Sequence, residues 1–142
     1  MNSRNLDYSG FNNYEQILAE FLSSFVDIDN NGYSLVFRNT APTLEEIEKF
    51  GDRVYCVYNV FEGGFGQQFT QPINLYSYGN QKKVFDKKEL LSKKLLNGAE
   101  LISGENIKVK FTSGNPFVQD KTDADENIKG YYINMVVTVY KV

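Results

Sequence analysis

Gly130-Tyr-Tyr-Ile-Asn-Met-Val-Val-Thr-Val-Tyr-Lys-Val142 is the longest uninterrupted β signal in the chain. One parity, Tyr131, Ile133, Met135, Val137 and Val139, is continuously apolar. The other, Tyr132, Asn134, Val136, Thr138 and Tyr140, is mixed and suits a helix, a partner or water. Period-2 alternation of β-branched and aromatic residues without proline is what a long antiparallel strand requires. A terminal strand left unpaired would fray, so this one is expected inside a sheet, as the organiser of the fold.

Working back along the chain, Ile17, Leu18, Phe21, Leu22 and Phe25 recur at helical spacing and form one apolar stripe. That helix should stop at Asp27-Ile-Asp-Asn-Asn-Gly32, a turn-forming cluster. Residues 33–38 read as a strand. Thr43 with Glu46 makes a capping box that opens a short helix ending near Phe50-Gly51. Strands follow at 53–61 and 73–78, joined by Glu62-Gly-Gly-Phe-Gly-Gln-Gln-Phe69. Asp86 and Glu89 read as a second capping box before Leu90, Leu91, Leu95 and Leu96, with Asn97-Gly98 closing that helix. Residues 100–102 and 107–112 read as a hairpin, and 115–129 as a long acidic loop. The expected fold is α+β, a mostly antiparallel sheet with two or three amphipathic helices packed on one face and long inter-strand loops. Residues 1–13, polar and rich in Asn and Ser, read as a flexible arm, and residues 14–142 as a single domain.

Composition narrows the function classes. The chain has 142 residues and a net charge of −3, which argues against an electrostatic nucleic-acid binder needing a basic face. It contains no histidine, which removes Ser-His-Asp and Cys-His catalysis and most zinc or iron sites. Its ten tyrosines fit half-exposed strand faces and interfaces, or simply a β-rich chain using a residue that strands favour. Cys56 reads as a small buried hydrophobe. No apolar run approaches the ~20 residues of a spanning helix and no signal peptide is visible, so synthesis and folding in the cytoplasm are expected.

Several constellations invite chemistry. Asp27-x-Asp29-x-Asn31-Gly32 matches the first half of a calcium loop, but Arg38 stands where the closing Glu belongs, which favours a helix-ending turn. Gly63-Gly-Phe-Gly66 lacks the Lys-Ser/Thr of a phosphate loop; Phe65 and Phe69 either engage a partner or sit on a plain surface loop. Asp120, Asp123, Asp125 and Glu126 form a solvated acidic cluster without the pocket that acid/base work needs. Lys87, Lys88, Lys93 and Lys94 form the wet face of their helix or meet an acidic neighbour.

The order of these elements, from the amphipathic first helix through Arg53-Val-Tyr-Cys-Val-Tyr-Asn-Val60 and Ile73-Asn-Leu-Tyr-Ser-Tyr78 to Gly114-Asn-Pro-Phe-Val-Gln119 and the closing Gly-Tyr-Tyr-Ile-Asn strand, resembles a known family. It is similar to the tail terminator (tail-completion, minor tail) proteins of long-tailed bacteriophages, over most of the chain from about Tyr14 onward. The resemblance implies a virion protein of the tail or neck, made in the host cytoplasm, that assembles into a ring, commonly a hexamer. The ring would cap the tail tube, stop its polymerisation and receive the head connector, while DNA passes without specific binding. It implies no enzyme activity, no cofactor and no metal. Exposure and loop length nominate Phe65, Phe69, Phe117, Val118, Asp120, Asp123, Tyr132, Val136 and Tyr140 as subunit or partner contacts. Two other readings remain: another head-tail neck or joining protein, and a small-ligand-binding α+β domain with an apolar pocket between helix and sheet.

Overall fold

The computed structural model describes residues 13–59, 68–103, 107–122 and 127–141. Along the chain run α1 (Asn13–Ser23), β1 (Val36–Arg38), α2 (Leu44–Phe50), β2 (Tyr55–Tyr58), β3 (Gln68–Tyr78), α3 (Gln81–Asn97), β4 (Ala99–Ser103), β5 (Ile107–Thr122) and β6 (Ile128–Lys141). The six strands form one sheet in the order β1-β2-β3-β6-β5-β4, in which β1 and β2 are parallel and every other neighbouring pair is antiparallel. The protein is therefore α+β with a mostly antiparallel sheet, as the patterning indicates.

β6 lies inside that sheet. It pairs with β3 from Gln68↔Thr138 to Tyr78↔Ile128 and with β5 along its other edge. Its odd parity, Tyr131 to Val139, is buried throughout and forms the floor of the main core with Ile73, Leu75, Val109 and Phe111. The α1 stripe covers this floor: Leu18 and Leu22 are fully buried, and Phe21 stacks on Phe111 with ring centroids 4.6 Å apart. α3 adds Val84, Leu91 and Leu95 to the same face. Each fully buried side chain of this size contributes roughly 1.5–3 kcal/mol.

α2 packs on the opposite face, so two helices share one face and the third lies across the sheet from them. Its Ile47 and Phe50 meet Leu35, Phe37, Tyr55 and Tyr76, a second and smaller core. The Thr43 capping box is formed in full, with Glu46 N bonded to Thr43 Oγ1 at 3.2 Å and Thr43 N to Glu46 Oε1 at 3.1 Å. Gly51 closes the helix at φ 66°, where a side chain would be strained.

Three sequence expectations change. α3 does not begin at a capping box of Asp86 and Glu89; it begins at Gln81, with Asn80 as N-cap accepting from Lys83 N at 3.0 Å. Val84 falls on the apolar stripe of Leu91 and Leu95, so burial extends the helix backwards, and Asp86 becomes the i,i+4 partner of Lys82 at 2.8 Å. The stretch 115–129 is not one loop, because β5 runs on to Thr122. Between the pairs Ser113↔Met135 and Val118↔Ile133, residues 114–117 bulge opposite Asn134 alone. Asn134 Nδ2 donates to Pro116 O at 2.8 Å, which fixes the bulge and lets pairing resume as far as Thr122↔Lys129. β3 also starts earlier than expected, at Gln68, since β6 offers partners along that whole length. Residues 1–12, most of the proposed arm, lie outside the described residues.

Candidate assembly surfaces

The sheet face opposite α1 and α3 has two halves. One is the small core under α2. The other is built from alternate residues of the central strands, with Val136 flanked by Thr70 on β3 and Thr112 on β5, and Tyr132 flanked by Asn74 and Gln119. Among the described residues no helix packs over this half. Tyr132 and Val136 are half-buried, and Tyr140 is 39% exposed with the Lys108 ammonium 6.0 Å from its ring centre. Asn134 and Thr138 share the parity but are buried, Asn134 through its bond to the bulge. The mixed parity of the organising strand thus presents an interrupted surface of tyrosine and valine, a composition suited to contact with protein.

The remaining nominated residues scatter. Phe69 is on β3, half-buried against the main core, with its ring edge-on to Tyr14 at 5.2 Å. Phe117 and Val118 also pack against that core, at the bulge. Asp120 is exposed on β5, paired in register with Tyr131. Phe65 and Asp123 lie outside the described residues. Among the nominated residues that are described, Tyr132, Val136 and Tyr140 share one surface.

A buried polar network joins the start of α1 to the sheet, and no motif announces it. Glu15, 1% exposed, accepts both Arg38 Nε and Arg38 Nη2, the latter at 2.9 Å, and Tyr58 Oη donates to it at 3.4 Å. Tyr14 Oη donates to Gln71 Oε1 at 3.1 Å, and Gln71 Nε2 donates to the Asn59 and Pro72 carbonyls. Burial, reinforced by the Glu15 carboxylate, pushes the Tyr58 phenol well above its ordinary value. Burial likewise raises Tyr14, and it raises the free Cys56 thiol. Arg38 is raised by its bond to Glu15. These raised values keep the two phenols and the thiol neutral and the guanidinium charged at neutral pH. In sequence, Glu15 and Arg38 are 23 residues apart, and no local pattern joins them.

The aspartates of the half calcium loop are engaged elsewhere. Asp29 Oδ1 accepts Asn31 N at 2.8 Å and Tyr33 N at 3.0 Å, an Asx turn. Asp27 Oδ2 accepts Val54 N at 2.7 Å and lies 3.2 Å from Lys83 Nζ. Among the described residues, no group of three or more His, Cys, Asp or Glu side chains is placed to hold a metal ion. Among them too, no helix is long and apolar enough to cross a membrane. An open groove of about 520 Å³ runs between the end of α1 and β4, lined by Phe21, Phe25, Ala99 and Leu101 with Glu20, Lys94 and Glu100 at its rim.

Comparison of the chain with family models, curated proteins and solved structures finds no match in any of the three.

Proposed function

We propose that this protein is a structural subunit that closes into a ring with copies of itself, and that the ring is of the kind that ends a phage tail tube and receives the head connector. The observation that carries self-association is the half-face of the central strands that no described helix covers, where Tyr132, Val136 and Tyr140 lie on a strand otherwise buried among its neighbours. Ring closure needs heterologous contacts, and a six-stranded open sheet with different strands at its two edges offers distinct surfaces for them. The assignment to the tail rests on the order and size of the elements that resemble tail terminators. A net charge of −3 suits a conduit that DNA traverses without adhering.

A pocket for a small ligand between helix and sheet is the less favoured reading. The middle of that space is filled by Phe21 stacked on Phe111 and by Leu18, Leu22, Ile73 and Leu91, all buried, and the groove between the end of α1 and β4 is open to solvent rather than enclosed. Light scattering after size exclusion, with negative-stain microscopy, tests the ring. A mass that is a multiple of the 16.3 kDa subunit and annular particles are expected, and a strict monomer at high concentration rejects the proposal. Adding the oligomer to polymerising tail-tube protein separates terminator from other neck component. The terminator shortens or caps tubes; a joining protein leaves their length unchanged.

A further inference from the structure

The helices α2 and α3, on opposite sides of the sheet, carry opposite charge. α3 holds six lysines against Asp86 and Glu89, in a chain whose net charge is −3. Lys93 and Lys94 are exposed near its end, and among the described residues neither meets a carboxylate, whereas Lys82, Lys83 and Lys88 all do. Leu90, one turn before them, is among the most exposed large apolar side chains of the described residues. Unpaired ammonium groups beside a bare leucine fit an acidic partner with some apolar character better than they fit water alone.

α2 presents the complementary arrangement. Glu45, Glu46 and Glu48 stand against Lys49 alone, and Leu44 is exposed one turn before Glu48. Glu46 closes the cap with Thr43, but the Glu48 carboxylate meets no cation among the described residues. Glu45 has only Lys49, 3.7 Å away with both side chains largely exposed, a pair that contributes little and is easily exchanged. Other exposed carboxylates such as Asp86, Glu89 and Glu100 already face a lysine of their own subunit. Within one subunit the two surfaces do not meet. α2 packs on the sheet face away from α3, and Asp52, just past its end, accepts from Asn80 at the start of α3 at 3.1 Å. An α-helix rises about 1.5 Å per residue, so Lys94 lies roughly 20 Å further along the axis. Each subunit is therefore basic on one side and acidic on the other, and two unlike surfaces make a heterologous contact. The acidic side is also the side of the sheet on which Tyr132, Val136 and Tyr140 lie.

We infer that the Lys93–Lys94 end of α3, with Leu90, docks the outward face of α2 in a second copy of this chain, Leu44, Glu45 and Glu48, head to tail. This rests on the self-association proposed above and names one contact of it. Lys93→Glu with Lys94→Glu is expected to weaken assembly about tenfold or more by light scattering, with melting close to that of the parent. Adding Glu45→Lys and Glu48→Lys to that same chain is expected to restore assembly, because the charges are then exchanged rather than lost. Salt at about 1 M, where charges are screened beyond about 3 Å, should weaken the wild-type assembly. If the reversed chains melt early, Lys93→Gln with Lys94→Gln, which keeps the helix, must still weaken assembly. Assembly unaffected by the lysine substitutions, or not restored by the exchange in a chain that melts normally, overturns this contact and leaves the ring proposal standing. Retention of the wild-type chain on duplex DNA or on phosphatidylserine vesicles, abolished by K93E/K94E while assembly persists, assigns the basic end to a polyanion instead and likewise overturns it. A wild-type protein that stays monomeric overturns both.

Discussion

Arg38, on an edge strand, holds the carboxylate of Glu15 from two sides, with Nη2 2.9 Å from Oε1 and Nε on Oε2. The guanidinium is 32% exposed while the carboxylate is 1% exposed, so water reaches one partner and not the other. Arg38→Ala leaves a buried carboxylate without its main counter-charge. The variant is expected to be less stable than the parent, though by less than the loss of a fully buried pair, because water reaches the guanidinium. Arg38→Lys recovers only part, because an ammonium cannot make both bonds at once. Urea denaturation of the two variants measures the difference; equal midpoints for Arg38→Ala and the parent would show that the pair contributes nothing.

Stability is expected to fall at alkaline pH. Tyr14, Tyr58 and Cys56 all have folded-state values raised by burial. In the unfolded chain the thiol ionises near pH 8.5 and the phenols near about pH 10. Between those values and the raised ones, the unfolded state releases protons that the folded state keeps. Their contribution is therefore fully present below the unfolded values and is lost as pH rises towards the folded ones. Tyr14→Phe and Tyr58→Phe should each flatten the decline above pH 10 in thermal melts. A thiol reagent should label Cys56 only as fast as the protein unfolds, and rapid labelling at neutral pH would contradict its burial.

Gly130 faces β3 so closely that an added Cβ would strike Leu75 O and the Tyr76 ring. Backbone in a paired strand cannot move aside, so Gly130→Ala should cost about 2–3 kcal/mol by overpacking. Gly114→Ala should also destabilise, since its Cβ would stand 2.8 Å from the Asn134 Cβ at the base of the bulge. Thr43→Ala, which removes the cap of α2, should cost only about 1 kcal/mol. Melting temperatures of the three variants give the order directly; a Gly130→Ala protein as stable as the parent would mean that the β3–β6 register differs from Tyr76↔Gly130.

What could be read from the sequence follows from how local each signal is. The odd parity of β6, the α1 stripe and the Thr43 cap depend on neighbouring residues, and each appears where the pattern places it. The start of α3 was hidden because Gln81-Lys-Lys looks like a loop until Val84 is seen to join the stripe of Leu91 and Leu95. β5 beyond Ser113 was hidden for a different reason. Gly114-Asn-Pro-Phe117 carries every mark of a turn, and only the long-range bond from Asn134 to Pro116 lets the strand resume. The Glu15–Arg38 pair is non-local altogether. Of the nominated contacts, Tyr140 and Asp120 are exposed, whereas Phe69, Phe117 and Val118 are half-buried against the main core, which a loop-like local sequence does not reveal.

Tyr132 and Tyr140 allow folding and assembly to be separated on the organising strand itself. Their side chains point away from the main core, which is filled by Tyr131, Ile133, Met135, Val137 and Val139. Truncating a residue that is half-exposed creates no sealed cavity, so the folding cost of Tyr132→Ala with Tyr140→Ala should stay below about 1.5 kcal/mol. Aromatic side chains at a subunit interface cost more, commonly ~2 kcal/mol or above for each central one. The double variant should therefore melt within a few degrees of the parent yet dissociate at concentrations where the parent remains assembled. Sedimentation velocity across a dilution series reads the second property and calorimetry the first. If the variant melts like the parent and its assembly also survives dilution unchanged, the half-face of Tyr132 and Tyr140 is not where subunits meet. If melting collapses instead, these tyrosines belong to the fold rather than to its contacts.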